Sequence, residues 1–242
     1  MSLKVFADFD GTVTTEDVGN LFFREFGGLV CDVLVRDYRE GKLSAVECFR
    51  GEVAAMGRVP LAHVHSFLHA RALTPGFSEF VAFCRERSLD LCVLSDGLDF
   101  YIEAILAHNG IRDVRFFANA LTVGPADAAG RAELTIRFPY DDAECDRCAC
   151  CKRNLMVNRA GESDIIAYIG DGFSDRCAAQ YADIVFARGE LQRYCQQENI
   201  SYFLYETFHD VRARLEELLR KRRLRKRRRA EVRRRELFMR EP

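Results

Sequence analysis

Two short apolar runs, each closed by an acidic turn that contains glycine, limit what this chain can become. Leu3-Lys4-Val5-Phe6-Ala7 leads into Asp8-Phe9-Asp10-Gly11-Thr12, and Ile165-Ile166-Ala167-Tyr168-Ile169 leads into Gly170-Asp171-Gly172-Phe173-Ser174-Asp175. Runs this short, continuous and rich in β-branched and aromatic residues predict parallel strands covered on both faces. Open α/β sheets bind ligands just beyond the carboxyl ends of their strands, which is where both turns fall. The acids are therefore expected at a site, and their combined charge calls for a cation.

Helical spacing fills the segment between the first strand and the next one. Val18, Leu21, Phe22 and Phe26, then Leu29 and Val33, then Val46, Phe49 and Val53 read as helices, and no clear strand interrupts them. After Thr74-Pro75-Gly76 the pattern alternates: a helix from Phe77, a strand at 89–94, a helix at 98–108 and a strand at 114–117. A hairpin is predicted over 121–138, followed by strands at 165–169, 183–186 and 202–204 with helices between them. The predicted class is α/β, a Rossmann-like core with a parallel sheet and a small helical cap inserted after the first strand. The expected division is core at 1–14 and 75–209, cap at 15–74, and a C-terminal helix with a basic tail at 210–242.

A phosphoryl group is anionic and repels nucleophiles, so its transfer needs a placed nucleophile, hydrogen-bond donors and a cation. Asp8 and Asp10, two residues apart at a strand end, can project to one side and divide the work of nucleophile and acid/base. Asp171 and Asp175 add hard oxygen ligands suited to Mg²⁺. Ser95-Asp96-Gly97 follows a strand and offers a hydroxyl and backbone N–H groups to an anion, while Lys152 offers a point charge. Taken singly, each piece also reads as a solvated turn, a helix cap or a surface lysine.

In this order and at strand ends the pieces resemble the four motifs of haloacid dehalogenase (HAD) superfamily phosphatases, over about residues 3 to 210. That resemblance implies Asp8 as nucleophile and Asp10 as acid/base. It implies Ser95, Asp96, Gly97 and Lys152 as phosphate ligands, and Asp8, Asp10 (through its carbonyl), Asp171 and Asp175 as the Mg²⁺ site. Residues 15–74 would form a cap of the superfamily's first type, which covers the site and chooses the leaving group.

Within that cap type Glu40-Gly41-Lys42-Leu43 looks like the cap turn of phosphoserine phosphatases. Yet Asp17 stands where those enzymes place a Glu for the substrate amine, and Glu52 where they place an Arg for its carboxylate. A carboxylate opposite a carboxylate disfavours phosphoserine. The chain more closely resembles the methionine-salvage group that acts on 2-hydroxy-3-keto-5-methylthiopentenyl-1-phosphate. The likeness lies in Asp-Phe-Asp-Gly-Thr, Asp17, the Cys-Cys-Lys ending at Lys152 and the run Ala182 to Arg188. Phe22, with Phe23, Phe26 and Met56, could offer such a substrate an apolar pocket or could simply be cap core.

Ten cysteines in a chain without an export signal read as reduced thiols. Cys145, Cys148, Cys150 and Cys151 crowd before Lys152 and are compatible with a structural Zn²⁺ half-site, a redox pair or plain loop packing. Lysine and arginine nearly balance aspartate and glutamate, 36 against 37, but residues 220–242 carry about +10 and the rest about −11. The tail could attract nucleic acid or another polyanion, or be a solvated, frayed helix extension or a disordered tail folding back on the acidic body. Sequence alone leaves the oligomeric state open. No apolar run is long enough for a membrane span, and the expectation is a cytoplasmic enzyme with a small-molecule phosphoester substrate. A dinucleotide site is disfavoured because Asp175 replaces the third glycine of that fingerprint, and a receiver-type phospho-acceptor because of the sixty-residue insert.

Overall fold

The computed structural model describes residues 2–142 and 147–240. In chain order the elements are β1 (Leu3–Ala7), a tight turn over Phe9–Val13, α1 (Val18–Gly27), α2 (Val30–Arg39), α3 (Ala45–Met56), β2 (Arg58–Pro60), α4 (Leu61–His69), α5 (Phe77–Glu86), β3 (Asp90–Leu98), α6 (Asp99–His108), β4 (Arg115–Val123) and β5 (Arg131–Arg137). They continue with α7 (Lys152–Asn158), β6 (Ile165–Gly170), α8 (Arg176–Tyr181), β7 (Ile184–Ala187), α9 (Gly189–Gln197), β8 (Phe203–Leu204), α10 (Phe208–Arg220) and α11 (Arg228–Arg240). Two compact units result: Met1–Val13 with Leu73–Leu94 and Lys152–Pro242, and Thr14–Ala72 with Ser95–Cys151.

The first unit is built on parallel strands in the order β3-β1-β6-β7-β8. Every residue of β6 and β7 is buried, as expected for parallel strands covered on both faces. The chain leaves β1 for β3 on one side and later returns to β6 on the other, so the end of β1 is a topological switch point. Ala7 pairs with Ile169, and the Asp8 N–H donates to the Ile169 carbonyl at 2.9 Å. That register sets the two acidic turns side by side. Phe77 and Phe80 of α5 meet Phe208 of α10 with ring centroids 4.9 and 5.2 Å apart, closing one flank of the unit.

The second unit holds α1 to α4, α6 and the antiparallel strands β2-β5-β4. Ser44 begins α3 with a reciprocal capping box to Glu47, and Asp17 caps α1 by accepting from the Asn20 N–H. Phe22 lies 5.1 Å from Phe26 and 6.0 Å from Phe67, so the aromatic spacing read along α1 packs against α4. The hairpin expected over 121–138 is present, with Leu121 opposite Ile136, but β4 absorbs the strand predicted separately at 114–117. The insert also contains a strand, β2, which pairs with β5 through Val59 and Ala132. A three-residue strand ending at Pro60 shows no periodicity in sequence, and only its distant partner defines it.

Candidate active site

Asp8 emerges one residue beyond β1 and is 4% exposed. Its Oδ1 accepts from the Phe9 N–H at 2.7 Å and from Lys152 Nζ at 2.6 Å. The chain then turns sharply through Gly11, which has φ +70°. A Cβ at Gly11 would lie 2.6 Å from Asp171 Oδ2, so only glycine brings this turn so close to the second acidic loop. Thr12 Oγ1 donates to Asp171 Oδ1 at 2.7 Å and fixes that carboxylate from the same turn.

Lys152, the first residue of α7, is 1% exposed and reaches 2.7 Å from Asp175 Oδ1 and 3.0 Å from Ser174 Oγ, in addition to Asp8. Asp175 is fully buried and held from all sides. Tyr168 Oη donates to Oδ1 at 2.6 Å, and the N–H groups of Asp171 and Gly172 each donate to Oδ2 at 2.9 Å. A Cβ at Gly170 would sit 2.5 Å from the same oxygen, which explains the glycine that ends β6.

Carboxylate oxygens of Asp8, Asp171 and Asp175 lie within 4.8 Å of one another, the one such convergence of three or more ligating side chains among the described residues. Burial, then the charge of Asp175, pushes Asp8 well above the usual carboxylate range, with Lys152 opposing. The same two causes raise Asp171 to about 6. Burial by itself would depress the Lys152 ammonium, but Asp175 and Asp8 outweigh it and hold the pKa well above the usual lysine value. One ammonium among two buried carboxylates and a half-buried one leaves a negative excess, and all-oxygen donors of this kind suit a hard divalent cation. The trio does not include the Asp10 carboxylate, whose expected ligand atom is the backbone carbonyl.

The remaining sequence-predicted residues belong to the second unit. Ser95 is fully buried near the end of β3 and its Oγ accepts from the Gly97 N–H at 2.9 Å. Asp96 Oδ1 accepts from the N–H groups of Ala149 and Cys150, both at 2.8 Å, so its carboxylate binds the cysteine-rich loop. Cys148, Cys150 and Cys151 are buried, with Cys151 Sγ 3.7 Å from Asp142 Oδ2. Cys145 lies outside the described residues. Phe22 is wholly buried, and Asp17 is engaged as the α1 cap.

Glu52 is 3% exposed on α3, and burial followed by the charge of Asp17 pushes its carboxyl up to about 8. The unfolded chain loses this proton near 4.5, the folded chain only near 8. Stability should therefore fall as pH rises between those values, by at most about 5 kcal/mol at 1.36 kcal/mol per pH unit. Glu52→Gln should remove this contribution, leaving a shallower slope than wild type in urea unfolding measured at pH 5 and pH 8.5, the remainder coming from Asp8 and Asp171.

Three contributors escaped the sequence reading. Tyr168 looked like one more apolar residue of a buried strand, and Ser174 like a spacer. Arg188 donates to the carbonyls of Gly11 and Glu206 and covers the Tyr205 ring at 4.9 Å, bracing the first acidic turn from β7's end. Its place directly after the apolar strand Ile184–Ala187 was the available signal.

Residues 3–210 match the family described as Putative Phosphatase. A 2-hydroxy-3-keto-5-methylthiopentenyl-1-phosphate phosphatase of Bacillus mycoides (strain KBAB4) is 31% identical over 226 residues, covering 90% of this chain and 98% of the relative. Among solved structures, a HAD-family hydrolase from Salmonella enterica serovar Typhi superposes with a TM-score of 0.64 at 20% identity, over 85% of this chain and 68% of that one. A phospho-aspartyl intermediate analogue of phosphoserine phosphatase gives 0.63 at 18% identity, over 91% and 98%.

Proposed function

This chain belongs to the Putative Phosphatase family and is a phosphoric monoester hydrolase of the HAD type, and from that premise we propose a mechanism, a metal and a substrate class for it. Asp8 is the nucleophile. Its Oδ1 is held by Lys152 and the Phe9 N–H, so we assign the attack on phosphorus to Oδ2. As the Oδ2–phosphorus bond forms, the ester bond breaks and Asp10 gives its proton to the departing oxygen. Asp10 then takes a proton from water as that water attacks the aspartyl-phosphate, releasing phosphate and restoring Asp8. Lys152 carries positive charge to the phosphoryl oxygens, and Ser95 and Gly97 are the further phosphate ligands we assign.

Mg²⁺ is the divalent ion we assign to Asp8, Asp171 and Asp175, with the Asp10 carbonyl; when bound it would neutralise the acidic cluster and the phosphoryl charge. The observation that carries this reading is the buried Lys152 bridge between Asp8 and Asp175, beside Asp171. A loop held by Asp96 leads directly into Lys152, and we read Cys148, Cys150 and Cys151 as packing residues of that loop. We read residues 15–74 as the cap that selects the leaving group. The exposed cations Arg222, Arg223 and Arg225 give the tail a face that could attract a polyanion.

We assign a small phosphoester with a neutral, apolar or sulfur-containing tail as substrate, the methionine-salvage enol phosphate being the specific choice. Asp17 and the buried Glu52 are acids where a substrate carboxylate would call for a cation, and Phe22, Phe23 and Met56 are buried apolar residues of α1 and α3. A phosphomonoester panel assayed with Mg²⁺ and with EDTA tests the assignment. The expected result is Mg²⁺-dependent phosphate release, with kcat/KM for neutral thioether-bearing esters at least about tenfold above phosphoserine, roughly 1.4 kcal/mol of discrimination. Phosphoserine ranking first would overturn the substrate class, and undiminished turnover in EDTA would overturn the metal.

A further inference from the structure

Helix α8 begins at Asp175, its N-cap residue, and is only six residues long. A helix this short has little stability of its own, and its last carbonyls need donors. The basic tail supplies them. Arg227 donates to the carbonyls of Ala179 and Gln180 at 2.6 and 2.8 Å, and Arg234 donates to the carbonyl of Tyr181. These guanidinium groups sit at the negative end of the helix dipole, the favourable place for cations.

The same arginines hold the neighbouring strand. Arg234 forks onto Asp183 at 3.0 and 3.1 Å, in a pair whose side chains are 10% and 0% exposed, and the Arg227 N–H donates to Asp183 Oδ1 at 2.9 Å. Asp183 in turn accepts from the Ile166 N–H of β6 at 3.0 Å. Strand β6 runs into Asp171 and helix α8 starts at Asp175, so the tail clamps both elements that present this acidic pair. Residues 228–240 form a helix that docks through Arg234. They also lie beyond the matched family region, which ends at residue 210.

We propose that Arg227 and Arg234 are positioning residues of the phosphatase site, acting through α8 and Asp183 on the placement of Asp171 and Asp175. The inference rests on the reading of Asp8, Asp171 and Asp175 as the metal site. It predicts that the tail is part of the catalytic unit, so that catalysis depends on residues far from the four motifs.

The test uses the full chain and Mn²⁺ as a probe ion, with its dissociation constant read directly by electron paramagnetic resonance and hydrogen exchange followed at the amides of Asp171, Gly172 and α8. Arg227→Ala and Arg234→Ala should each raise the Mn²⁺ dissociation constant about tenfold, the scale seen when outer partners of metal ligands are removed. They should also lower kcat more than they raise KM and speed exchange in α8, and Arg234→Lys should recover part of the affinity. Arg235→Ala, whose side chain is exposed, should match wild type. If Arg234→Ala does not fold, Arg227→Ala decides, because it leaves the Arg234–Asp183 pair in place. A folded Arg227→Ala with wild-type Mn²⁺ affinity and kcat overturns the proposal. Absence of Mn²⁺ binding in wild type overturns the metal reading itself and this inference with it, a result distinct from a variant that binds as wild type does.

Discussion

Asp8→Asn should leave a folded protein whose phosphate release is reduced by roughly 10⁴-fold or more, because the amide is nearly isosteric and a very poor nucleophile. The surroundings of Asp8 support retention of the fold. Its Oδ1 accepts two hydrogen bonds, which an amide oxygen can also accept, and burial already favours a neutral group there. Single-turnover measurement with a chromogenic ester, set beside thermal unfolding, separates the two effects. Turnover within tenfold of wild type in the folded variant would remove Asp8 as the nucleophile. A trapped phospho-enzyme in wild type that is missing from the variant would support it.

Lys152→Ala is expected to act on both rate and stability. Removing one preorganised donor to a reacting anion typically costs 10² to 10³ in rate, so a loss of roughly 10³-fold with a weaker KM is the expected outcome. The ammonium is also the buried partner of Asp8 and Asp175, and stripping one side of such a pair costs about 3 kcal/mol. Added Mg²⁺ should recover much of that stability, since a cation then balances the same carboxylates, while the lost rate should remain. Urea unfolding with EDTA and with saturating Mg²⁺ reads the difference. Equal destabilisation in both conditions would show that the lysine and the metal do not share the acidic cluster.

The acids were legible because two apolar runs announce where their turns must emerge, and parallel pairing then leaves little freedom in placing Asp8 beside Asp171. Lys152 was harder to read. Only the order of the motifs pointed to it, and 144 residues separate it from Asp8. Tyr168 was hidden because a phenol in a buried strand has the same period and hydrophobicity as its neighbours, and only the hydroxyl's contact with Asp175 reveals its use. The short strand β2 has too few residues to show a pattern. The tail's docking was legible only as one alternative, because a block of arginines against an acidic body does not say which of them a helix C-terminus and a buried aspartate draw inward. For Lys152, β2 and the tail the deciding partner is remote in sequence, where neither spacing nor propensity reports it.

The central position of β1 has a consequence for how the molecule comes to life. It precedes the sheet's other strands in the sequence, yet it pairs on one side with Asp90 to Val93 and on the other with Ile165 to Ile169. During synthesis its apolar residues must wait for neighbours that follow by more than eighty and one hundred and sixty positions. Such remote pairing slows folding and leaves sticky strand edges open in the interval. Asp8 cannot meet Lys152, Asp171 or Asp175 before that interval ends, because all three lie next to or beyond the second strand partner in sequence. The acidic cluster is thus assembled in one step, when β1 is seated between β3 and β6, and a misregistered β1 would leave Asp8 apart from Asp171 and Asp175.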